Sequence, residues 1–382
     1  MPGSFVGRIA ASLPSIVIGL ALVTGLWLLP DLTPSEAIPV VGQHSEHARI
    51  VEARGTDTTG LPIFLVELDD GSRIEAVVQD ASAAIPGSSS RAPYEVGDAV
   101  VVTIFSGPAA GSFAVIAEPW RMPILGLVAA VFAAAVIIVG GLRGARSLVA
   151  LALTLTFVIK VVVPLLLRGF DPILLAVGGG ALVTVVTLLL TEGSNRVTWS
   201  AVLGTGVALG LTAGLAALFT AAAEFTALQG SEEIAFLVPL VGDRIDLQGI
   251  LLAATVFGAL GVLDDVTVTQ AATVEQLHHA RPDADRRSVL SRAMRVGRSH
   301  IAATVNTLVL AYLGASLPLL LLFALSGEPP LTIANGEIVA VEIVRALVGS
   351  IGIVAAVPIT TLVAAWLVVT GEPAPTTSDH PA

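Results

Sequence analysis

Asp264 and Asp265 stand side by side in a stretch that is otherwise mostly apolar or hydroxyl-bearing, running from Gly258 through Gly261, Thr267, Thr269, Gln270 and Thr273 to Glu275. An ionised carboxylate near the centre of a membrane helix costs about 2.5–3.5 kcal/mol on insertion scales. Such groups therefore face a bundle interior, pair with another group or carry a proton. Two carboxylates one residue apart in a low-dielectric bundle do not both ionise easily. One of them can then load and release a proton, which is the chemistry of a proton or cation relay. The hydroxyls of Thr267 and Thr269 and the amide of Gln270 could line the path that a relay needs. The structural alternative sets the pair at a helix end. In a helix that starts at Leu247, Asp265 lies about 27 Å along, near the far side of a bilayer core of about 30 Å.

Lys160 is the only lysine among the 19 basic residues, and it lies deep in another apolar run. Opposite charges on two helices of one bundle lower each other's cost, which makes Lys160 a candidate partner of the aspartates. Equally, its side chain could snorkel outward, since Arg168 is about two turns away. Pro164 follows four residues later, leaves the Lys160 carbonyl without its usual amide, and predicts a kink. Asn306, with Thr304 and Thr307, and the prolines Pro318 and Pro358 could border a path or bond to neighbouring helices. Gly206, Gly210 and Gly214 form a small-xxx-small row suited to close helix packing.

Several other chemistries find no support. The chain has no cysteine, which removes disulfides, thiolate metal sites and a cysteine nucleophile. The pairs His44/His47 and His278/His279 lack a nearby third ligand, so neither a metal nor a cofactor is expected. No H-E-x-x-H zinc motif occurs. An aspartyl hydrolase needs two opposed carboxylates sharing a proton, and adjacent residues on one helix point about 100° apart. An enzyme is therefore not expected. Thirty acidic against 19 basic residues, a net charge of −11, argue against nucleic acid as a partner.

The elements that must hold these residues are membrane helices. The chain is 54% hydrophobic and 13% charged, with a mean hydropathy of +0.88, far from a soluble domain. Apolar runs long enough to span a bilayer occur at Ile9–Pro30, Met122–Gly141, Leu148–Leu167, Pro172–Leu190, Ser200–Ala222, Leu247–Gln270, Ile301–Leu325 and Ile343–Val369. The first reads as a retained anchor. Arginine placement orients them. Arg8, Arg143, Arg146, Arg196 and the cluster Arg281, Arg286, Arg287, Arg292, Arg295 and Arg298 fall on one side; Arg168, Arg244 and Arg345 fall on the other. Both termini are then cytoplasmic. The acidic loop 223–246, with Glu224, Glu232, Glu233, Asp243 and Asp246, is outside.

Residues 31–121 read differently. Alternating runs at Ala48–Ala53, Ile63–Leu68, Ile74–Val78, Asp98–Phe105 and Phe113–Ala117 predict five short strands, with Asp70-Gly71 as a hairpin turn and 88–93 as a loop. A small OB-like or SH3-like barrel outside the membrane is expected, either as a folded spacer or as a partner-binding module. The chain thus divides into an anchor at 1–30, an extracytoplasmic β domain at 31–121, a seven-helix membrane domain at 122–370 and a cytoplasmic tail at 371–382.

Five blocks carry a family resemblance: PYEVGD–AVVVTIF in the β segment, GLRGARSL, TEGSNRVTWSA, GALGVLDDVTVTQAATVEQL, and MRVGRSHIAATVNTLVLAYLGASLP. Together they cover nearly the whole chain, which resembles the YibE/F family of bacterial membrane proteins. The resemblance implies a multi-pass protein of the bacterial cell membrane with an N-terminal extracytoplasmic region, and no particular activity. The order of a glycine, the Asp-Asp pair, a β-branched and Ala-rich turn and then a glutamate also looks like the fourth helix of resistance–nodulation–division transporters. That analogy implies proton relay at Asp264 and Asp265 and a helix-end place for Glu275. It offers no motif match for Lys160, and neither the number of spans nor the size of the outer domain agrees. The expected fold is an all-α polytopic bundle of about eight spans with one β barrel. The expected function is a transporter or translocation component moving an unknown small substrate or ion across the lipid bilayer. The alternative is a membrane scaffold whose β domain binds a membrane or cell-envelope protein.

Overall fold

The computed structural model describes residues 5–30, 43–57, 60–78, 94–107, 111–228 and 245–369. Glu232, Glu233, Asp243, Arg244, the 88–93 loop and the tail 371–382 lie outside them. By its contacts the chain divides into two units, 35–135 and 1–34 with 136–382. The division falls inside a helix, later than the boundary at 121/122 expected from the sequence.

Within the first unit, five strands form a closed barrel: β1 (Gln43–Thr56), β2 (Pro62–Leu68), β3 (Arg73–Val78), β4 (Ala99–Gly107) and β5 (Gly111–Pro119), in the order β1-β2-β3-β5-β4. Antiparallel pairing sets Ala48 against both Leu68 and Val100, and a parallel β3–β5 pair sets Ala76 against Ala114. This is an OB-type strand order. Alternate residues point inward, as a two-residue period requires. Ile50, Val66, Val100, Val102 and Ile116 are almost wholly buried in a core of their own. The β2–β3 turn is the predicted one: Gly71 has φ +82°, and the Asp70 carboxylate accepts the Ser72 amide at 2.8 Å. Hydrogen bonding from Ser72, its side chain first and its amide second, holds the Asp70 carboxyl below its ordinary range. Because the core is self-contained, residues 40–118 expressed alone should give a dispersed amide spectrum. A collapsed spectrum would show that the barrel depends on the helices.

The rest is helical: α1 (Phe5–Leu28), α2 (Met122–Phe157), α3 (Val163–Leu167), α4 (Pro172–Leu174), α5 (Gly180–Glu192), α6 (Arg196–Ala222), α7 (Leu247–Ala280), α8 (Arg286–Ala315), α9 (Leu317–Ser326), α10 (Pro330–Asn335) and α11 (Glu337–Leu367). Among the described residues, five helices are long and apolar enough to cross a membrane, or six when the bent pair α8–α9 counts as one. The protein is a membrane protein.

One of those elements, Met122–Leu167, is 46 residues long, about 69 Å of helix and more than twice a bilayer core. Gly141 interrupts it with φ 58° and ψ −137°, a conformation that side chains resist. At the break the chain passes close to itself, since a Cβ on Gly144 would meet the Val136 carbonyl. Pro164 does not produce the simple kink expected. A π turn at Val158–Val162 takes up the geometry, with the Val163 amide bonding the Val158 carbonyl. A wider turn is one way to accommodate a residue that cannot donate.

α6, α7 and α11 pack together as the centre of the bundle. The α6–α11 contact is built from small residues at a spacing of four. A Cβ on Gly204 would strike Thr360, and a Cβ on Gly352 would strike Thr212; Ala208 and Ala356, midway between, are both fully buried. The Gly206, Gly210 and Gly214 row expected to do this packing faces elsewhere: all three are exposed and, among the described residues, have nothing within 4 Å of an added Cβ. The two rows are offset by two residues, which is about 200° around a helix.

Polar clips fix both ends of this bundle. At one end, Arg196 donates to the Leu367 carbonyl and Arg286 to the Val369 carbonyl, filling carbonyls that a helix end leaves open. At the other, the Glu337 carboxylate accepts from Thr226 Oγ1 at 2.8 Å and the Ala227 amide at 2.6 Å.

Candidate functional site

Asp264 turns inward from α7 and Asp265 does not. Asp264 is half-buried, and Thr184 Oγ1 on α5 donates to its two carboxylate oxygens at 3.0 and 3.1 Å. Asp265, rotated about 100° further round α7, is exposed on this chain. Thr267 is fully buried beside Asp264. Its hydroxyl donates to the Asp264 carbonyl at 3.1 Å and lies 2.7 Å from Thr205 Oγ1 on α6. Thr205 also hydrogen-bonds the Asp264 carboxylate, so the three side chains form one cluster.

A carboxylate has about four lone-pair positions, and the hydroxyls of Thr184 and Thr205 fill part of that capacity. No ion pair reaches Asp264 among the described residues. The remaining acceptor capacity suits a proton or a small cation.

A polar cavity of about 220 Å³ opens at the end of the bundle marked by Arg196 and Val369. Glu192, Asn195, Glu275 and Gln276 border it, with Arg143 from the segment after the Gly141 break. Leu188, Ala201 and Val268 line it more deeply. Each of those three is four residues from a member of the Asp264 cluster: Leu188 from Thr184 on α5, Ala201 from Thr205 on α6, and Val268 from Asp264 on α7. Four residues along a helix keep the same face and advance about 6 Å. A single apolar layer therefore separates the cavity from the carboxylate. The asparagine that turns the chain into α6 is also accounted for, since Asn195 Oδ1 caps the helix by accepting the Thr198 amide at 2.9 Å.

The other residues singled out in the sequence lie elsewhere. Gln270, 2% exposed, is a structural tie: its Nε2 donates to the Ala293 carbonyl at 3.1 Å and to Thr361 Oγ1 at 2.7 Å, linking α7 to α8 and α11. Thr269 and Asn306 are exposed. Lys160 Nζ lies 4.8 Å from the ring centre of Trp27 on α1, a cation–π arrangement. No salt bridge among the described residues joins it to either aspartate. His47 meets Asp69 at 2.6 Å and His44 meets Glu46 at 3.3 Å; no group of three metal-binding side chains occurs among the described residues.

Thr184, Thr205 and the cavity border were not legible as a site. Threonines recur through these helices, and many bond to a carbonyl one turn back, as Thr187 and Thr191 do. The one signal was indirect. Arg143 belongs to GLRGARSL, Glu192, Asn195 and Thr198 to TEGSNRVTWSA, and Asp264 and Glu275 to the Asp-Asp block. Three of the blocks that carry the family resemblance therefore meet at one place.

No curated protein and no solved structure matches the chain. The family model for YibE/F-like protein matches residues 128–370, which include every residue of the Asp264 cluster and the cavity. The chain belongs to the YibE/F-like family.

Proposed function

We propose that this protein is a transporter or translocation component of the membrane in which Asp264 takes up and releases a proton or small cation. The observation that carries this reading is the half-buried carboxylate, served by the hydroxyls of Thr184 and Thr205 and one helical turn from a polar cavity. Thr205 is nine positions beyond Arg196, about 13 Å along α6, and Thr184 is eight before Glu192, about 12 Å. In a core of about 30 Å, those depths put Asp264 near the middle. A charge there is expensive unless it can be neutralised, which is what a relay does in each cycle. Leu188, Ala201 and Val268 then act as the gate, and Asp265 takes no direct part. A scaffold reading has one observation in its favour, the stacked pair Phe105–Phe113 on the barrel, with Phe113 54% exposed.

The absence of native cysteine makes the path testable. Single-cysteine variants Ala272→Cys and Val268→Cys should react with a membrane-impermeant thiol reagent from one side of the membrane, while Leu260→Cys, buried in the core, should not. Unreactive cysteines at both cavity positions would mean a dry interior and would favour the scaffold.

The same proposal takes the chain as eight spans, with the break at Gly141 and the bend after α8 each ending or interrupting one of them. Both termini are cytoplasmic and the barrel is outside. Reporter fusions at Ser88 and Arg287 should then fall on opposite sides of the membrane; agreement between them would refute this topology.

A further inference from the structure

The cavity below Asp264 carries more charge than a proton path needs. The guanidinium of Arg143 and the carboxylates of Glu192 and Glu275 border it together. None of these side chains has a hydrogen-bond or ion-pair partner among the described residues. Opposite charges within salt-bridge reach would have paired. Here a cation and two anions line one cavity and remain apart from each other.

Thr198 supplies a separate observation. It also lines the cavity, is 2% exposed, and its hydroxyl has no hydrogen-bond partner among the described residues. A threonine inside a helix usually donates to the carbonyl four residues back. For Thr198 that residue is Ser194, which precedes the first turn of α6. Leaving a buried hydroxyl without a partner is unfavourable, and a polar guest in the cavity would relieve that cost.

We infer that this cavity binds a small zwitterion of the amino-acid class. Its ammonium group lies towards Glu192 and Glu275, its carboxylate towards Arg143, and Thr198 completes the polar shell. The charges discriminate between ligand types. Two carboxylates against one guanidinium leave the border at −1, which disfavours a lone anion. A lone cation would leave Arg143 unanswered. A molecule with both charges a few bonds apart answers both. The volume, about 220 Å³, is below the roughly 300–1,000 Å³ of drug-sized pockets and limits the guest to a few heavy atoms. Binding stands apart from the role of Asp264. That the bound zwitterion is also the transported species rests on the reading of Asp264 proposed above.

Equilibrium dialysis of the purified full chain in detergent, with labelled glycine, alanine, serine and proline, tests the site. At least one of the four should bind saturably. Unlabelled ethylamine and propionate, each carrying one of the two charges, should compete about tenfold or more less well than the zwitterion. Arg143→Gln and Glu275→Gln should each weaken binding by about tenfold or more. Both residues stand on the cavity border, away from the α6–α11 core, so thermal unfolding of these variants should match the unaltered chain. Asp264→Asn should leave binding unchanged, so a failure of the coupling proposal is distinguishable from a failure of this one. Three results would overturn the inference: no saturable binding by any of the four, equal competition by ethylamine, or binding indifferent to both neutralising substitutions.

Discussion

Gly204→Ala should destabilise the helical unit by about 1–3 kcal/mol, the range for overpacking a filled interface. The new methyl would occupy the place of Thr360 Oγ1 and would also crowd the Thr360 Cβ and Cα, at 3.0 and 3.3 Å. Backbone atoms on α11 cannot turn aside as a side-chain end can, so α6 and α11 must move apart. Thr360→Ala in the same chain removes the hydroxyl and should recover part of the loss, a coupling that a double-mutant cycle would measure. Gly210→Leu is the control. Its face is open, and thermal stability in detergent should change little. Equal losses at Gly204 and Gly210 would show that both faces of α6 are packed.

This contrast also marks how far the sequence could be read. The strands of the barrel, its Asp70-Gly71 turn, and the break at Gly141 follow from local rules: alternation, turn chemistry and an interrupted apolar run. The packing face of α6 does not. The helix is apolar all round and carries two small-residue rows, Gly204/Ala208/Thr212 and Gly206/Gly210/Gly214, with nothing local to say which one meets α11. The same limit applies to the aspartates. Adjacent residues on a helix diverge by about 100°, so one of the pair was bound to face inward more than the other. The choice depends on Thr184, eighty positions away in the chain. A related limit applies to Lys160: charge alone suggests a partner, but which helices become neighbours decides whether it meets the aspartates, and its ammonium lies over the Trp27 ring. The cavity is less local still, since its border comes from three separate segments that each read as ordinary loop or helix end.

Asp264→Asn should abolish coupled activity while the chain still folds. The substitution keeps the size of the side chain, and the amide oxygen still accepts from Thr184, so the local hydrogen bonding survives. What disappears is the ability to load and release a proton. Asp265→Asn, on the exposed side of α7, should have a much smaller effect. Thr184→Val should impair without abolishing, because it removes the hydroxyl that positions Asp264 while leaving the carboxylate.

Proton movement into liposomes containing the full chain, followed with an internal pH-sensitive dye under an imposed gradient, tests the role of Asp264 most directly. The unaltered chain and Asp265→Asn should both dissipate the gradient, while Asp264→Asn should do so at about one-tenth of that rate or less. An Asp264→Asn chain that moves protons as fast as the unaltered one would contradict the account and leave the buried carboxylate a structural tie between α5 and α7.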